Sequence, residues 1–429
     1  MRVSRKLWDT LFGYYIYVSS IINKLIYGIL FGRKYPFGTT SFCLIIIRNT
    51  ILIKGGIKML QNTSKPRIKL IHQVLYLNGR VRIGGGSQHA IEIEDPNQYF
   101  KPLIKLLNGS YTIEEISHQL SETFSYEEII DSINLLAENG YIEDMNISPN
   151  ESLSENDLER YSVNINFFNT LSHSKGMNGY DYQAVLKDSK VLVFGLGGIG
   201  SNICMALTEL GVGHITAVDF DQIALSNLNR QVLYSTSTVG ELKTKMAKKR
   251  IMDFNPDIKF DVIDCKVSSL NNVEDIIHQV NPDFVFCLAD KPNGYIDFWI
   301  NEVCVKKEIP MVGASIGCSI GTAYSVTPNC SCYQCRINHD LINSPELVEE
   351  LEYIRNNEVN SPNGALGPSC MFFAYYLSYE YLRYTLKLGS LLTENKLFEI
   401  NFTTFEQKYH DMPKLSDCSI CNLKPLTLK

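Results

Sequence analysis

The sequence predicts an α/β protein: a doubly wound, mostly parallel sheet with a small N-terminal domain of mixed strands and helices. Two observations carry this prediction. From residue 190 onward, short apolar runs alternate with amphipathic stretches of helical period, the pattern of a parallel sheet with crossover helices. Further upstream, residues 68–86 alternate apolar and polar side chains on both sides of the turn signal formed by Asn78 and Gly79, which is typical of a hairpin.

The first 58 residues differ in charge from the rest of the chain. Nine basic residues and one acid give them a net charge of +8, which leaves −14 for residues 59–429 of a 429-residue chain with a net charge of −6. The acidic remainder argues against a nucleic-acid partner.

This N-terminal segment contains an uncharged run at 10–23 that follows three basic residues, as in a secretory signal. No alanine precedes Ala90, so an A-x-A-like cleavage site is missing, and the run is shorter than the ~20 residues of a membrane span. Two interpretations stay open. The segment is an anchor at a membrane surface, or it is not natural coding sequence and translation starts at Met59, because KGGIKM (54–59) would be encoded by purine-rich codons that resemble a ribosome-binding site.

Residues 59–145 form the predicted small domain. After the hairpin, Gly140 stands where a helix C-cap is expected, and YIED follows as a returning strand. We therefore expect a winged-helix-like unit. Its helical patterns lie at 98–107, 113–122 and 126–139.

A second domain, 160–429, follows a linker predicted at 146–159 from its polar residues and turn formers. Its hydrophobic pattern is that of the doubly wound sheet, and it ends with a long apolar helix. Strands are predicted at 190–194, 214–218, 259–263, 283–287 and 310–314, and helices at 199–210, 239–253, 271–279, 295–307 and 367–387.

A glycine-rich turn, VLVFGLGGIGSN, joins the first of these strands to a helix. Gly195, Gly197, Gly198 and Gly200 permit a tight turn and a close approach of a phosphate to the backbone, and the helix N-terminus adds N–H donors. Asp219 ends the next strand, about twenty residues on, where a ribose hydroxyl would bind. This Rossmann-like pattern is compatible with a dehydrogenase and with an ATP-consuming enzyme.

The stretch after the ribose position favours ATP, because it supplies Asn227, Arg230, Gln231 and Lys243. A nicotinamide site has little use for cations beyond the pyrophosphate, whereas ATP chemistry needs them to neutralise charge on the β- and γ-phosphates. Asp290 follows the fourth strand at the carboxyl edge of the sheet, where a carboxylate can hold Mg²⁺ against the phosphates. The sequence thus predicts ATP and Mg²⁺ as ligands.

Four of the twelve cysteines form two C-x-x-C pairs, Cys332 with Cys335 and Cys418 with Cys421. Four thiolates suit a tetrahedral structural Zn²⁺ that ties the C-terminal tail to the core. In a chain of this length, such pairs indicate a reduced, cytoplasmic protein with a metal site rather than a set of disulfides.

From residue 160 to about 422 the chain resembles the ThiF/MoeB-like adenylyltransferases, relatives of the ubiquitin-activating enzymes. The resemblance rests on GLGGIG, DFDQIALSNLNRQ, VGELK, LAD and the two cysteine pairs. It implies that ATP and Mg²⁺ bind here and that the C-terminal carboxylate of a protein or peptide is adenylated in a homodimer. It would give nucleotide contacts to Gly198, Asp219, Asn227, Arg230 and Lys243, and the Mg²⁺-linked catalytic role to Asp290.

The sequence departs from this family at two points. Members that pass sulfur or ubiquitin-like tails onward carry a cysteine shortly before the Gly-Pro of the late helix, where this chain has Asn360, so we expect no thioester intermediate. The family also has an Arg that reaches the γ-phosphate in the partner subunit. Val163 stands in its place, and Arg160 is a candidate substitute.

The small N-terminal unit and the missing transfer cysteine make the chain most similar to the microcin C-type peptide adenylyltransferases. That resemblance implies a peptide clamp at 68–145, a short ribosomally made precursor peptide as partner, and a nucleotide that can stay attached through a P–N bond. Two alternatives remain: a sulfur-carrier-activating enzyme of ThiF or MoeB type, and a catalytically silent peptide-binding scaffold.

Overall fold

The computed structural model of the chain describes residues 60–85, 90–171, 177–357 and 364–422. Both interpretations of residues 1–58, and the start at Met59, concern residues outside these ranges. The described residues divide into two compact units, one formed by Gln73–Pro102 and the other by residues 60–72 together with those from Leu103 onward. The predicted domain limits at 145 and 160 stay predictions.

The described residues contain thirteen strands and thirteen α-helices. The strands are β1 (Pro66–Ile68), β2 (Val74–Leu77), β3 (Arg80–Ile83), β4 (Ile91–Glu94), β5 (Ile142–Asp144), β6 (Lys190–Phe194), β7 (His214–Asp219), β8 (Lys259–Asp264), β9 (Phe284–Cys287), β10 (Met311–Gly317), β11 (Ile320–Val326), β12 (Lys396–Asn401) and β13 (Gln407–Asp411). The helices are α1 (Lys101–Leu106), α2 (Ile113–Gln119), α3 (Tyr126–Glu138), α4 (Glu155–Arg160), α5 (Ser162–Leu171), α6 (Gly179–Asp188), α7 (Gly198–Leu210), α8 (Lys243–Phe254), α9 (Leu270–Val280), α10 (Ile296–Lys306), α11 (Tyr333–Asn343), α12 (Leu347–Asn357) and α13 (Gly367–Thr385).

The smaller unit is a three-stranded antiparallel sheet in the order β2-β3-β4. The predicted Asn-Gly turn joins β2 to β3, and Gly79 has the positive φ of 73° that such a turn needs. Val81 and Ile93 are buried and directly paired, so one face of the sheet is apolar. On β2, by contrast, Leu75, Tyr76 and Leu77 are all exposed.

The first helices of the larger unit begin at capping boxes. Thr112 caps α2, Ser125 caps α3, and in each case a glutamate three residues on returns the bond to the cap backbone. Ser154 and Asp157 form the same arrangement, so residues 155–159, predicted as linker, instead begin helix α4. The returning strand predicted at YIED is β5, which pairs antiparallel with β1.

An eight-stranded sheet forms the centre of the larger unit, in the order β13-β12-β11-β10-β9-β6-β7-β8. Five neighbouring strands, β10, β9, β6, β7 and β8, are parallel, as the sequence predicts. The strand order reverses between β6 and β9. In such sheets ligands bind at the carboxyl edge beside this switch point. The three remaining strands continue the sheet in antiparallel fashion and were not predicted.

Helices cover both faces of this sheet, which confirms the doubly wound prediction. Val191 and Val193 of β6 pack in one core with residues of α7, α8 and α13, whereas Leu192 and Phe194 pack in a second core with α9 and α10. All four side chains are at most 1% exposed, as expected of a strand buried on both faces. Among the described helices, none has the length and apolar character to cross a bilayer.

Candidate functional site

The glycine-rich turn lies at the switch point, between the end of β6 and the first turn of α7. Gly195 has a φ of 94°, and a Cβ there would lie 2.6 Å from the Leu288 carbonyl oxygen. A Cβ on Gly200 would lie 1.8 Å from the Gly195 carbonyl oxygen, so only glycine fits this crossing. At Gly197 a Cβ would meet nothing within 4 Å. The turn is thus tightly packed against the protein at Gly195 and Gly200, whereas the space beside Gly197 is open.

This open side is the N-terminus of a 13-residue helix whose N-cap, Gly197, makes no side-chain capping bond. The first backbone N–H groups of a helix lack intrahelical partners and carry the positive end of its dipole. The loop and helix therefore offer donors to an anion of phosphate size.

Asp219 lies at the end of β7, beside the glycine turn, and is buried. Its carboxylate accepts the backbone N–H of Leu196 at 2.6 Å and that of Asp221 at 2.8 Å. Burial raises the pKa of Asp219, and the nearby Lys243 opposes that shift. Asp219 thus holds the backbone of the glycine-rich turn, and its role toward a ribose stays a prediction.

Lys243 begins α8 and is only 5% exposed. Its Nζ donates to Asp221 Oδ2 at 2.8 Å and lies 3.9 Å from Asp219 Oδ1. A buried ammonium needs such carboxylates to compensate its desolvation. The structure therefore brings the predicted cation to Asp219, the predicted ribose ligand, at the inner wall of the crevice.

Arg230 lies at the outer side of the same crevice and is half-buried. Its Nη1 donates to the Ser226 carbonyl and to Asn229 Oδ1, both at 2.9 Å. Its side-chain carbons lie close to the glycine-rich turn: a Cβ built on Gly198 would be 3.3 Å from Arg230 Cδ. The guanidinium keeps donors for a further acceptor.

The two amides predicted beside Arg230 have different surroundings. Asn227 caps its own turn, since its Oδ1 accepts the Ala224 N–H at 3.0 Å. Gln231 is 3% exposed, and its Oε1 has no hydrogen-bond partner among the described residues. A buried amide oxygen without a partner costs stability unless a ligand or water supplies a donor.

Asn202 was not predicted, although it organises this region. Its Nδ2 donates to the Gly198 carbonyl at 2.7 Å and to the Arg230 carbonyl at 2.9 Å. One buried amide therefore links the glycine-rich turn to the backbone at Arg230. A helix position four residues after a glycine turn is the signal that could have indicated it, since i and i+4 share one helix face.

Asp290 follows β9 and is exposed. Its loop runs beside the glycine turn, because Leu288 donates its N–H to the Phe194 carbonyl at 2.9 Å. Among the described residues, its carboxylate has no hydrogen bond or ion pair, in contrast to Asp219. A free carboxylate at the carboxyl edge fits a Mg²⁺ ion that is bound mainly by phosphates and water.

The candidate substitute for the missing phosphate-binding arginine, Arg160, lies at the far end of helix α8. Arg160 donates to the Phe254 carbonyl at 3.4 Å and lies 3.9 Å from Asp257, at the end of α8 opposite Lys243. Twelve helical residues separate those ends by about 18 Å. Within its own chain, Arg160 thus lies far from Lys243. Its predicted contact with the nucleotide of the partner subunit stays a prediction, and Val163 is 75% exposed on α5.

The four predicted cysteines converge into one cluster, with all Sγ atoms within 4.8 Å of one another. The Sγ–Sγ distances are 3.6 Å between Cys332 and Cys418 and 3.4 Å between Cys335 and Cys421. Tetrahedral Zn–S bonds of 2.3 Å require roughly 3.8 Å, so the four sulfurs fit this ion. Hydrogen bonds from the Cys332 thiol and from the Leu415 backbone N–H lower the pKa of Cys335, which favours a thiolate.

The ThiF family profile matches residues 167–421, more than half of the chain. The SAMP-activating enzyme E1 of Haloferax volcanii is 32% identical over 185 residues, which is 43% of this chain and 63% of that protein. The molybdopterin-synthase adenylyltransferase of Escherichia coli is 34% identical over 163 residues, which is 37% of this chain and 64% of that protein. The chain thus spans just under two thirds of these relatives.

Similarity to solved structures covers more of the chain. E. coli MccB with AMPCPP and MccA has a TM-score of 0.63 at 22% identity, over 83% of this chain and 99% of that one. PaaA has a TM-score of 0.63 at 21% identity, over 80% of this chain and 99% of that one. These likenesses establish the fold, and the profile match shows that the chain belongs to the ThiF family.

Proposed function

We propose that this protein is an ATP-dependent adenylyltransferase that activates the C-terminal carboxylate of a short, ribosomally made precursor peptide. The observation that carries the proposal is the crevice at the switch point. There the uncapped N-terminus of α7, the buried pair of Asp219 and Lys243, and Arg230 meet at one edge of the sheet, and the Asp290 carboxylate has no partner among the described residues.

The distribution of charge in this crevice favours ATP over a nicotinamide cofactor. Lys243 lies within 3.9 Å of the ribose carboxylate, and Arg230 lies against Gly198. Under this proposal both cations neutralise phosphates beyond the first one, which the helix terminus binds. A nicotinamide dinucleotide has one further phosphate, whereas ATP has two, which leave together as pyrophosphate and build up charge as they do so.

In the proposed reaction, an oxygen of the peptide carboxylate attacks the α-phosphorus of ATP. The bond from that phosphorus to the bridging oxygen breaks, and pyrophosphate leaves with the electron pair. Arg230 and Lys243 stabilise the charge that grows on the leaving group. Mg²⁺ held by Asp290 would supply further charge neutralisation at the same oxygens.

The β2-β3-β4 sheet is the proposed element for peptide binding. Among the described residues, strand β2 is an edge whose outward-facing backbone N–H and C=O groups have no partner strand, and three consecutive large apolar side chains on it are exposed. The fold similarity to MccB, whose structures include complexes with AMPCPP and MccA, supports a peptide as the second substrate. Under this proposal the sheet selects the peptide and the crevice modifies it.

Zinc is the proposed occupant of the cysteine cluster, with a structural role, because all four positions of a tetrahedron are taken by thiols. A homodimer is also part of the proposal. Exposed apolar residues on α5 and α13, namely Val163, Phe167, Met371, Tyr375 and Tyr379, support an interface between copies.

Exchange of labelled pyrophosphate into ATP tests the proposal. The probe is a set of synthetic octapeptides that differ in the C-terminal residue, each prepared with a free carboxylate and with a carboxamide. We expect exchange with at least one free carboxylate and none with its amide. Exchange that is equal for an acid and its amide would contradict activation at the C-terminus.

The sequence relatives favour a second candidate, a sulfur-carrier-activating enzyme, since the proteins at 32% and 34% identity carry such names. A small carrier protein ending in Gly-Gly separates the two enzymes. Exchange with that protein but with none of the octapeptides would select the carrier function. Nucleotide binding without exchange by any substrate would favour the silent scaffold.

A further inference from the structure

The loop from Leu288 to Tyr295 carries Asp290 from β9 to α10. Its Pro292 carbonyl accepts the N–H groups of Tyr295 and Ile296, each at 3.1 Å, and two further bonds tie the loop to other elements. At the inner end, the Leu288 N–H donates to the Phe194 carbonyl at 2.9 Å. At the outer end, Arg355 Nε of α12 donates to the Gly294 carbonyl at 2.9 Å. The second bond comes from a helix that the sequence did not connect with the site.

Arg355 is itself held in place by aromatic rings. Its guanidinium carbon lies 5.2 Å from the ring centroid of Tyr295 and 4.8 Å from that of Phe298, distances typical of cation–π contacts. Phe298 in turn packs edge-on against Tyr333, with ring centroids 5.1 Å apart. The aromatic rings thus hold the Arg355 side chain in position where it contacts the loop.

Gly294 is shaped for this contact. Its φ is 77°, and a Cβ there would lie 3.1 Å from Arg355 Cγ, tighter than an ordinary van der Waals contact. A larger residue at this position would be strained and would push the arginine away. The close approach and the hydrogen bond therefore depend on each other.

Asp290 has no such support of its own. Within the described part of the chain its carboxylate makes no hydrogen bond or ion pair, so its place is set by the loop backbone alone. We propose that Arg355 is a positioning residue, which fixes the carboxylate of Asp290 for Mg²⁺ by holding the Gly294 carbonyl. This inference rests on the proposed role of Asp290 in nucleotide activation.

The experiment has two readouts on the full chain. The first is hydrogen–deuterium exchange of the segment 288–296 without nucleotide. The second is calorimetric binding of AMPCPP with and without Mg²⁺, which gives the fold-increase in affinity due to the metal. The variants are Arg355→Ala, Gly294→Ala and Asp290→Asn. Arg383→Ala is the matched control. Arg383 Nε also donates to a backbone carbonyl at 2.8 Å, but that carbonyl belongs to Ser390, in the loop after α13.

We expect Arg355→Ala and Gly294→Ala to speed exchange in the loop on the order of tenfold, since one charged hydrogen bond is lost. Both should lose most of the Mg²⁺-dependent increase in affinity while metal-free binding stays as in the wild type. Adding Arg355→Ala to Asp290→Asn should cost nothing more, because both act through one carboxylate. The control should match the wild type in both readouts.

Loop exchange that is unchanged by Arg355→Ala would overturn the inference. So would faster exchange with an intact Mg²⁺ effect, because the arginine would then hold the loop without placing Asp290. If the wild type fails to bind AMPCPP at all, the proposed function falls and the inference with it. The exchange readout distinguishes these failures, since it requires no nucleotide.

Discussion

The cysteine cluster and the nucleotide crevice place reactive groups together in opposite ways. In the cluster, four thiols meet one another inside the fold, and no side is left for a substrate. In the crevice, the inner wall of Asp219 and Lys243 is buried and bonded, whereas Asp290 at the outer wall is exposed. The comparison teaches that the closed site should contribute stability and the open side should contribute turnover, with the inner wall contributing to both.

The largest effect is expected from breaking the closed site. Cys418→Ser removes one of four thiolates, and a structural zinc site contributes on the order of 10 kcal/mol in small metal-bound domains. We expect lower zinc content by atomic emission and a lower Tm, with Cys330→Ser as the control because its thiol bonds to Glu394 rather than to the cluster. Full stability of the wild type after complete chelation would contradict a structural ion.

Next in size is the inner wall of the crevice. Lys243→Met keeps the volume but leaves the buried Asp219 without its cation, and breaking a buried pair typically costs about 3–5 kcal/mol. We expect a lower free energy of unfolding together with weaker ATP binding, measured by denaturation and calorimetry. Weaker ATP binding with an unchanged free energy of unfolding would show that Lys243 acts on the nucleotide alone, as expected for the outer wall.

The outer wall should respond in rate alone. Asp290→Asn keeps size and loses charge, and removal of one preorganised electrostatic group typically lowers turnover about 10²–10³-fold. Stability should stay as in the wild type, because the carboxylate has no bond to lose among the described residues. Pyrophosphate exchange measures the expected loss of turnover, and thermal denaturation measures the expected unchanged stability. Exchange near the wild-type rate would refute the proposed role of Asp290.

The smallest effect concerns a buried cation outside both sites. Lys69 donates to the Asn169 carbonyl at 2.8 Å, and burial lowers its pKa from 10.5 to about 8, with Glu143 opposing the shift. Between these values the unfolded chain binds more protons than the folded one, so stability should rise with pH. Relative to Lys69→Met, the wild type should gain about 2 kcal/mol between pH 7.5 and 9.5 in denaturant unfolding. A difference that does not change with pH would show that Lys69 is hydrated in the folded state.

The parallel core could be predicted because its signals are local. Strands β6 and β9 are apolar on both faces and so form continuous hydrophobic runs. The glycines of the phosphate turn and the cysteine spacing are likewise local patterns. Strands β12 and β13 were missed because they contain many polar residues and because β12, on which β13 pairs, is itself stabilised by pairing with the distant β11, which no local window shows.

The site was predicted as a set of residues but not as a set of contacts. Asn202 joins two carbonyls that are 32 positions apart in sequence, Gly198 and Arg230, and only the fold brings them together. Arg355 reaches the Asp290 loop across 61 positions. Helix α4 was a local signal that was overlooked, since Ser154 and Asp157 form a capping box within the predicted linker.

The spacing of the cysteine pairs has a consequence for biosynthesis. Cys332 and Cys418 are 86 positions apart, and at the usual 5–20 residues per second the second pair is made about 4–17 s after the first. During that interval the first pair can offer an ion only two sulfurs. The full tetrahedral set exists only once the last strands have emerged and docked, so ion capture reports that synthesis has reached the end of the sheet. A nascent chain stalled before Cys418 would lack this lock and stay open to proteolysis.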